Sequence, residues 1–218
     1  MKRPPLIVLV AFVVVGLVAA GALWQLGSQR AQTAAAVPDG TPVEKAEPAD
    51  FGGPFSLIDQ DGKRRTDAEF RGKYMLIFFG YTFCPDVCPT TLAVEAEALD
   101  KIGARADKIV PIFITVDPMR DTPEKLKMYL SAFDGLSTSR PGFVGLTGTD
   151  EEIEKAADAY EVYYMAHLDG RFGGDEGYSV DHSGNVYLMD PEGKFVSYYS
   201  QGISPDELAA DLTMKVPG

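Results

Sequence analysis

The chain reads as an α/β protein, a mixed sheet flanked by helices, preceded by one N-terminal transmembrane helix. Three observations carry that reading. Two continuous apolar runs, YMLIFFG at Tyr74–Gly80 and IVPIFITV at Ile109–Val116, have the composition of strands buried on both faces, as in the middle of a sheet covered by helices. Helix-start signals alternate with these runs. From Leu6 to Trp24 every residue is apolar, and as a helix this stretch spans about 28 Å at ~1.5 Å per residue, the thickness of a bilayer's hydrocarbon core.

Taken from the N-terminus, Lys2 and Arg3 precede the apolar run and only Arg30 follows it closely. That asymmetry keeps the short end cytoplasmic and puts the bulk of the chain on the exported side. Residues 1–5 are then a cytoplasmic stub and 6–26 a single-pass anchor in the cytoplasmic (inner) membrane, with the C-terminal part periplasmic or equivalent. A secretory signal peptide is the competing reading, because Ala20, Gly21 and Ala22 are small residues of the kind a signal peptidase cuts, but the run exceeds the usual signal-peptide length. Residues 27–53 are rich in Ala, Pro, Gly and Glu with almost no bulky apolar residue. They cannot bury a core and read as a flexible linker. Residues 54–218 are the folded domain.

Within the domain, FSLID leads through Gln60, Asp61 and Gly62 into Lys63, a hairpin signal. After YMLIFFG the spacing predicts a helix with Leu92, Ala96, Leu99 and Ile102 on one face and Gly103 near its end. Thr122, Pro123 and Glu124 open another helix running to about Phe133, since threonine caps and proline suits the first helical position. Thr149 with Glu152, and Ser204 with Glu207, have capping-box spacing and announce two more. NVYLMD and KFVSYY, joined by Pro191, Glu192 and Gly193, form a second hairpin. The order βα, βα, α, ββ, α describes a mixed sheet between helices and is compatible with a thioredoxin fold.

Charge narrows the partners. All 32 acidic residues but only 17 of the 20 basic ones lie beyond residue 30, 17 against 32, a balance of −15 there. Such a surface repels nucleic acid and keeps the domain soluble.

The two cysteines, Cys84 and Cys88, are too few to staple a small disulfide scaffold. They sit in FFGYTFCPDVCPTTL, where a buried strand ends in glycine and a helix begins. With a helical first turn, positions i and i+4 share a face, so both sulfurs reach one metal ion or each other. Unpaired amides and the dipole at a helix start favour thiolate, the form that binds metals and attacks disulfides. A structural disulfide, redox chemistry and metal binding are the three readings this pair admits. Of the remaining soft or borderline ligands, His182 in SVDHSGNVYLMD lies just before a core strand, whereas His167 precedes a run of four glycines between Gly170 and Gly177 that reads as a mobile loop. His182 is the better candidate for a third ligand; Met165 is a remote one. Asp117, Pro118, Arg120 and Asp121 read as a turn with local pairing, and Pro85 and Pro89 as fixing the backbone around the sulfurs.

FGYTFCPDVCPTTL, VDPMRDTPEKL and VDHSGNVYLMDPEG resemble, in order and spacing, the motifs of the Sco/SenC family of copper proteins, and together they span Phe79 to Gly193. The resemblance implies a thioredoxin-like domain on an N-terminal anchor, holding one copper ion through Cys84, Cys88 and His182. It further implies a role in assembling the binuclear copper centre of cytochrome c oxidase, with that oxidase's copper-site subunit or another copper recipient as partner. The chain is then a copper donor, or a thiol-disulfide reductant of the recipient's cysteines through a redox-active Cys84–Cys88 pair that is a disulfide when oxidised. A copper or redox sensor is a third reading. The chemistry agrees, because soft thiolates select Cu(I) and an added imidazole admits Cu(II); zinc also accepts two sulfurs and one nitrogen.

Overall fold

The two strands read as buried on both faces lie side by side in the interior of one sheet. The structure, a computed structural model, describes residues 51–134, 142–167 and 177–218. Nine strands are described: β1 Ser56–Asp59, β2 Arg64–Thr66, β3 Tyr74–Gly80, β4 Ile109–Thr115, β5 Val144–Thr147, β6 Tyr164–His167, β7 Ser179–His182, β8 Val186–Met189 and β9 Phe195–Tyr199. Four α-helices accompany them: α1 Val87–Lys101, α2 Pro123–Asp134, α3 Asp150–Ala159 and α4 Pro205–Lys215. Seven strands form one sheet in the order β2-β1-β5-β4-β3-β8-β9, and β6 and β7 form a separate antiparallel pair.

β3 is flanked on one side by parallel β4, in register from Tyr74↔Ile109 to Gly80↔Thr115, and on the other by antiparallel β8, from Met75↔Met189 to Phe78↔Val186. Both edges of Met75–Phe78 are paired, and Met75 to Phe79 are essentially inaccessible. Burying each such side chain stabilises the fold by about 1.5–3 kcal/mol. A parallel neighbour demands a crossover, and α1 supplies it, burying Cys88, Leu92, Ala96 and Leu99 on its core face.

The two capping boxes form as spaced. Glu152 N–H donates to Thr149 Oγ1 at 3.2 Å while Thr149 N–H donates to Glu152 Oε2 at 3.0 Å, and Ser204 and Glu207 repeat the exchange. Two elements differ from the sequence reading. β5 pairs parallel to β4, yet VGLTGT lacks a strand's pattern because its glycines answer to packing: a Cβ on Gly145 would lie 2.6 Å from Leu130 Cδ1 of α2. The β6–β7 pair also went unread, and it places His167 at the end of a strand rather than in a loop. Among the described residues no helix is long and apolar enough to cross a membrane. The anchor at 6–26, the linker to residue 50 and the glycine-rich loop as far as residue 176 lie outside the described residues.

Candidate metal centre

β3 ends at Gly80, and the chain turns through Tyr81–Phe83 to Cys84, where the Cys84 N–H donates to Tyr81 O at 3.2 Å. α1 begins only at Val87. The two cysteines therefore do not share a helical face as i and i+4; Cys84 stands before the helix and Cys88 in its first turn. The result is still convergence, because the free N–H of Cys88 at the helix start points at the Cys84 sulfur, 3.4 Å away. His182, the last residue of β7, arrives from the opposite side with Nε2 3.2 Å from Cys88 Sγ. The ligand atoms of Cys84, Cys88 and His182 all lie within 4.8 Å of one another.

Their protons are distributed unevenly. The Cys84 thiol is pushed down to about 3, chiefly by the hydrogen bond from Cys88, with His182 and the amides of Cys88 and Asp86 adding to it against the opposing effect of burial. Burial and the neighbouring Cys84 sulfur hold the Cys88 thiol far above its ordinary value. Imidazole Nδ1 is 3.1 Å from Ser183 O, an acceptor, which leaves Nε2 as the ring nitrogen turned toward the sulfurs. Donating the distal N–H to a backbone carbonyl is how metal-binding histidines are oriented. Cys84 Sγ, Cys88 Sγ and His182 Nε2 thus converge as three donors that would hold a soft cation. The fourth direction opens to a cleft lined by Tyr81, Pro85, Asp86 and Gln201. Two sulfurs, one nitrogen and an open position suit copper in either oxidation state.

The packing around the donors is tight. A Cβ on Gly80 would lie 2.8 Å from Cys88 Sγ and 2.9 Å from Phe113 Cε2, so only glycine lets β3 pass behind the sulfur. We expect Gly80→Ala to displace Cys88, destabilise the domain by about 1–3 kcal/mol as overpacked cores are, and weaken metal binding; urea unfolding and copper titration of the variant check both. The edges of the Tyr81 and Phe78 rings confine His182, at centroid separations of 5.8 Å and 6.0 Å.

The motif after β4 does more than shape a turn. Asp121, fully buried, accepts from Thr115 Oγ1 at 2.6 Å and from the Thr82 N–H at 2.9 Å, tying the Cys84 loop to the end of β4. Arg120 pairs with Asp117, as a local turn would have it, but it also donates to Tyr178 O at 2.9 Å and lies 3.6 Å from the Tyr178 ring centroid and 4.7 Å from that of Phe83. Tyr178 Oη closes the circuit onto Asp117 at 2.6 Å. Arg120 therefore clamps the β6–β7 pair, which carries His182, against the loop carrying Cys84. The positioning roles of Gly80, Thr82 and Tyr178 were not read from the sequence; a glycine ending a buried strand just before a cysteine was the one available signal. His167 and Met165 lie on the outer side of the β6–β7 pair, and the three-donor cluster includes neither.

A thioredoxin-like α/β domain with a two-sulfur, one-nitrogen centre at the start of its first long helix is, as a class, a soft-metal or redox protein. The SCO1/SenC family matches residues 43–216, and the chain belongs to that family. It is 42% identical over 164 residues to the mitochondrial SCO1 homolog of Homo sapiens, covering 74% of this chain and 52% of that one. Against the structure of Bradyrhizobium japonicum ScoI with copper bound, identity is 47% and the TM-score 0.66, covering 77% of this chain and 99% of that one. A structure of BsSco, described as having a disulfide switch and as a member of the Sco family of cytochrome c oxidase assembly proteins, matches at 26% identity and TM-score 0.57, covering 77% of this chain and 95% of that one. The chain spans about half the length of the first curated relatives it matches, 51% and 52%. Copper occupies homologous structures, and Cys84, Cys88 and His182 form a candidate copper site here.

Proposed function

We propose that this chain is a copper metallochaperone that holds one ion through Cys84, Cys88 and His182 and passes it to the binuclear copper centre of cytochrome c oxidase, or to another copper recipient. The observation that carries the reading is the convergence of three donor atoms within 4.8 Å. A redox pair needs two sulfurs; beyond its share in lowering the Cys84 thiol, the imidazole adds a nitrogen donor that disulfide exchange does not require. Three ligands and an open position suit a carrier, since a recipient's ligand can join before a donor ligand leaves. In this reading residues 6–26 anchor the chain in the membrane, 27–53 give the domain reach, and 54–218 work on the exported side.

A second reading has its own support. Cys84 is half-buried and favours thiolate, while Cys88 is buried and keeps its proton, an asymmetry suited to attack on a partner's disulfide. The test is to load the reduced domain with one copper, mix it with a reduced and then an oxidised copper-site fragment of the recipient, and follow copper and thiols together. We expect copper to move to the reduced fragment with no change in thiol count. Loss of thiols from this chain with copper left behind would make it a reductant instead.

A further inference from the structure

The β6–β7 pair has two faces, and the centre described above uses one. Directly opposed residues of an antiparallel pair share a face. The register Tyr164↔His182 and Ala166↔Val180 sets His182 with buried Val180, while Met165↔Asp181 and His167↔Ser179 collects Met165, His167 and Asp181 on the other face. Val180 on the first face is 4% accessible, whereas Met165 on the second is 49% accessible and its partner Asp181 is exposed. On the outer face His167 Nε2 lies 2.7 Å from Asp181 Oδ2, and Tyr163 Oη donates to the Met165 sulfur at 3.5 Å. Alternate residues of a strand are about 6.6 Å apart, a gap that methionine's long unbranched side chain bridges. An exposed thioether adds nothing to a core, but next to an imidazole it is half of a soft ligand pair. Asp181 engages Nε2 and leaves Nδ1 as the ligand nitrogen, the arrangement in which a carboxylate orients a metal-binding histidine.

We propose that this outer face is an accessory Cu(I) site, with Met165 Sδ and His167 Nδ1 as ligands and Asp181 as the positioning carboxylate. It captures Cu(I) from outside and feeds the inner centre by way of the open cleft that Asp181 lines together with Cys84 and His182. The destination of the ion rests on the metallochaperone reading; the site itself does not. Thioether and imidazole together favour Cu(I) over harder divalent ions, and the acidic surface concentrates any cation near it.

The test is a Cu(I) titration of the full chain against a chromophoric chelator. The unsubstituted chain should take two equivalents, one tight and one weaker, and His167→Ala with Met165→Leu should remove only the weaker. With Cys84→Ser, Cys88→Ser and His182→Ala combined, and circular dichroism unchanged, one weaker equivalent should remain; adding His167→Ala should lower its affinity at least 10-fold, and Asp181→Asn by about 10-fold. One equivalent in the unsubstituted chain, or a second one indifferent to His167→Ala and Met165→Leu, would overturn the site. With the inner centre intact, the outer substitutions should slow Cu(I) loading without changing the tight affinity, and an unchanged loading rate would overturn the capture role. The two readings fail separately, because the inner assignment falls only if removing Cys84, Cys88 and His182 leaves the tight equivalent in place.

Discussion

His182→Ala should lower Cu(II) affinity by 100-fold or more while leaving Cys84 and Cys88 able to form their disulfide. The imidazole supplies the one nitrogen of the centre, and Cu(II), the harder ion, depends on it more than Cu(I), which two thiolates still hold. Loss of an outer partner of a metal ligand alone costs 10–100-fold, so loss of the ligand sets a higher floor. The fold should tolerate the change: His182 ends β7, and its structural bonds run through backbone and through Ser183, whose N–H donates to Tyr163 O at 2.9 Å. Disulfide formation needs only the two sulfurs and the helix start. Measuring Cu(II) binding, Cu(I) binding and reduction potential on one preparation separates the outcomes. Unaltered copper affinity would remove His182 from the centre, and normal oxidase assembly in cells despite lost Cu(II) binding would favour the reductant reading.

Joining Cys84 and Cys88 should be equally severe. Oxidation of the metal-free domain removes two electrons and the one proton that Cys88 keeps and forms one S–S bond, consuming both sulfur donors. The sulfurs start within 4.8 Å and must close to about 2.05 Å. Cys84 stands before α1 and is not held by the helix that fixes Cys88. The oxidised domain should lose copper affinity by at least about 100-fold, since the remaining imidazole is a single ligand, and thiol reductant should restore it. Quantitative copper binding with no titratable thiol would exclude the cysteines as ligands.

Much of this architecture is legible in one dimension because its signals are local. YMLIFFG and IVPIFITV are apolar at every position since both sheet faces are covered, and they emerge as β3 and β4 in register along their whole length. The capping boxes are complete within four residues of chain. β5 was hidden because Gly145 is there for α2 and not for the strand, a reason that exists only once Leu130 is packed against it. The β6–β7 pair was hidden because its two strands are held by cross-strand pairing and by the Arg120–Tyr178 contact, neither of which leaves a periodic trace.

The site divides along the same line. That Cys84 and Cys88 stand at a helix start after a buried strand follows from residue type and order, because glycine, proline and a thiolate-stabilising helix end act over a few bonds. Resemblance pointed to His182 as the third donor. What no local pattern contains is the reach of 94 residues that brings His182 Nε2 to 3.2 Å from Cys88 Sγ, and the partly buried circuit of Asp117, Arg120, Tyr178, Asp121 and Thr82 that holds it there. Those are contacts between groups far apart in the chain. Their positions come from the packing of the β6–β7 pair against the Cys84 loop, and a hydrogen bond across such a distance has meaning only after the core has set both ends in place.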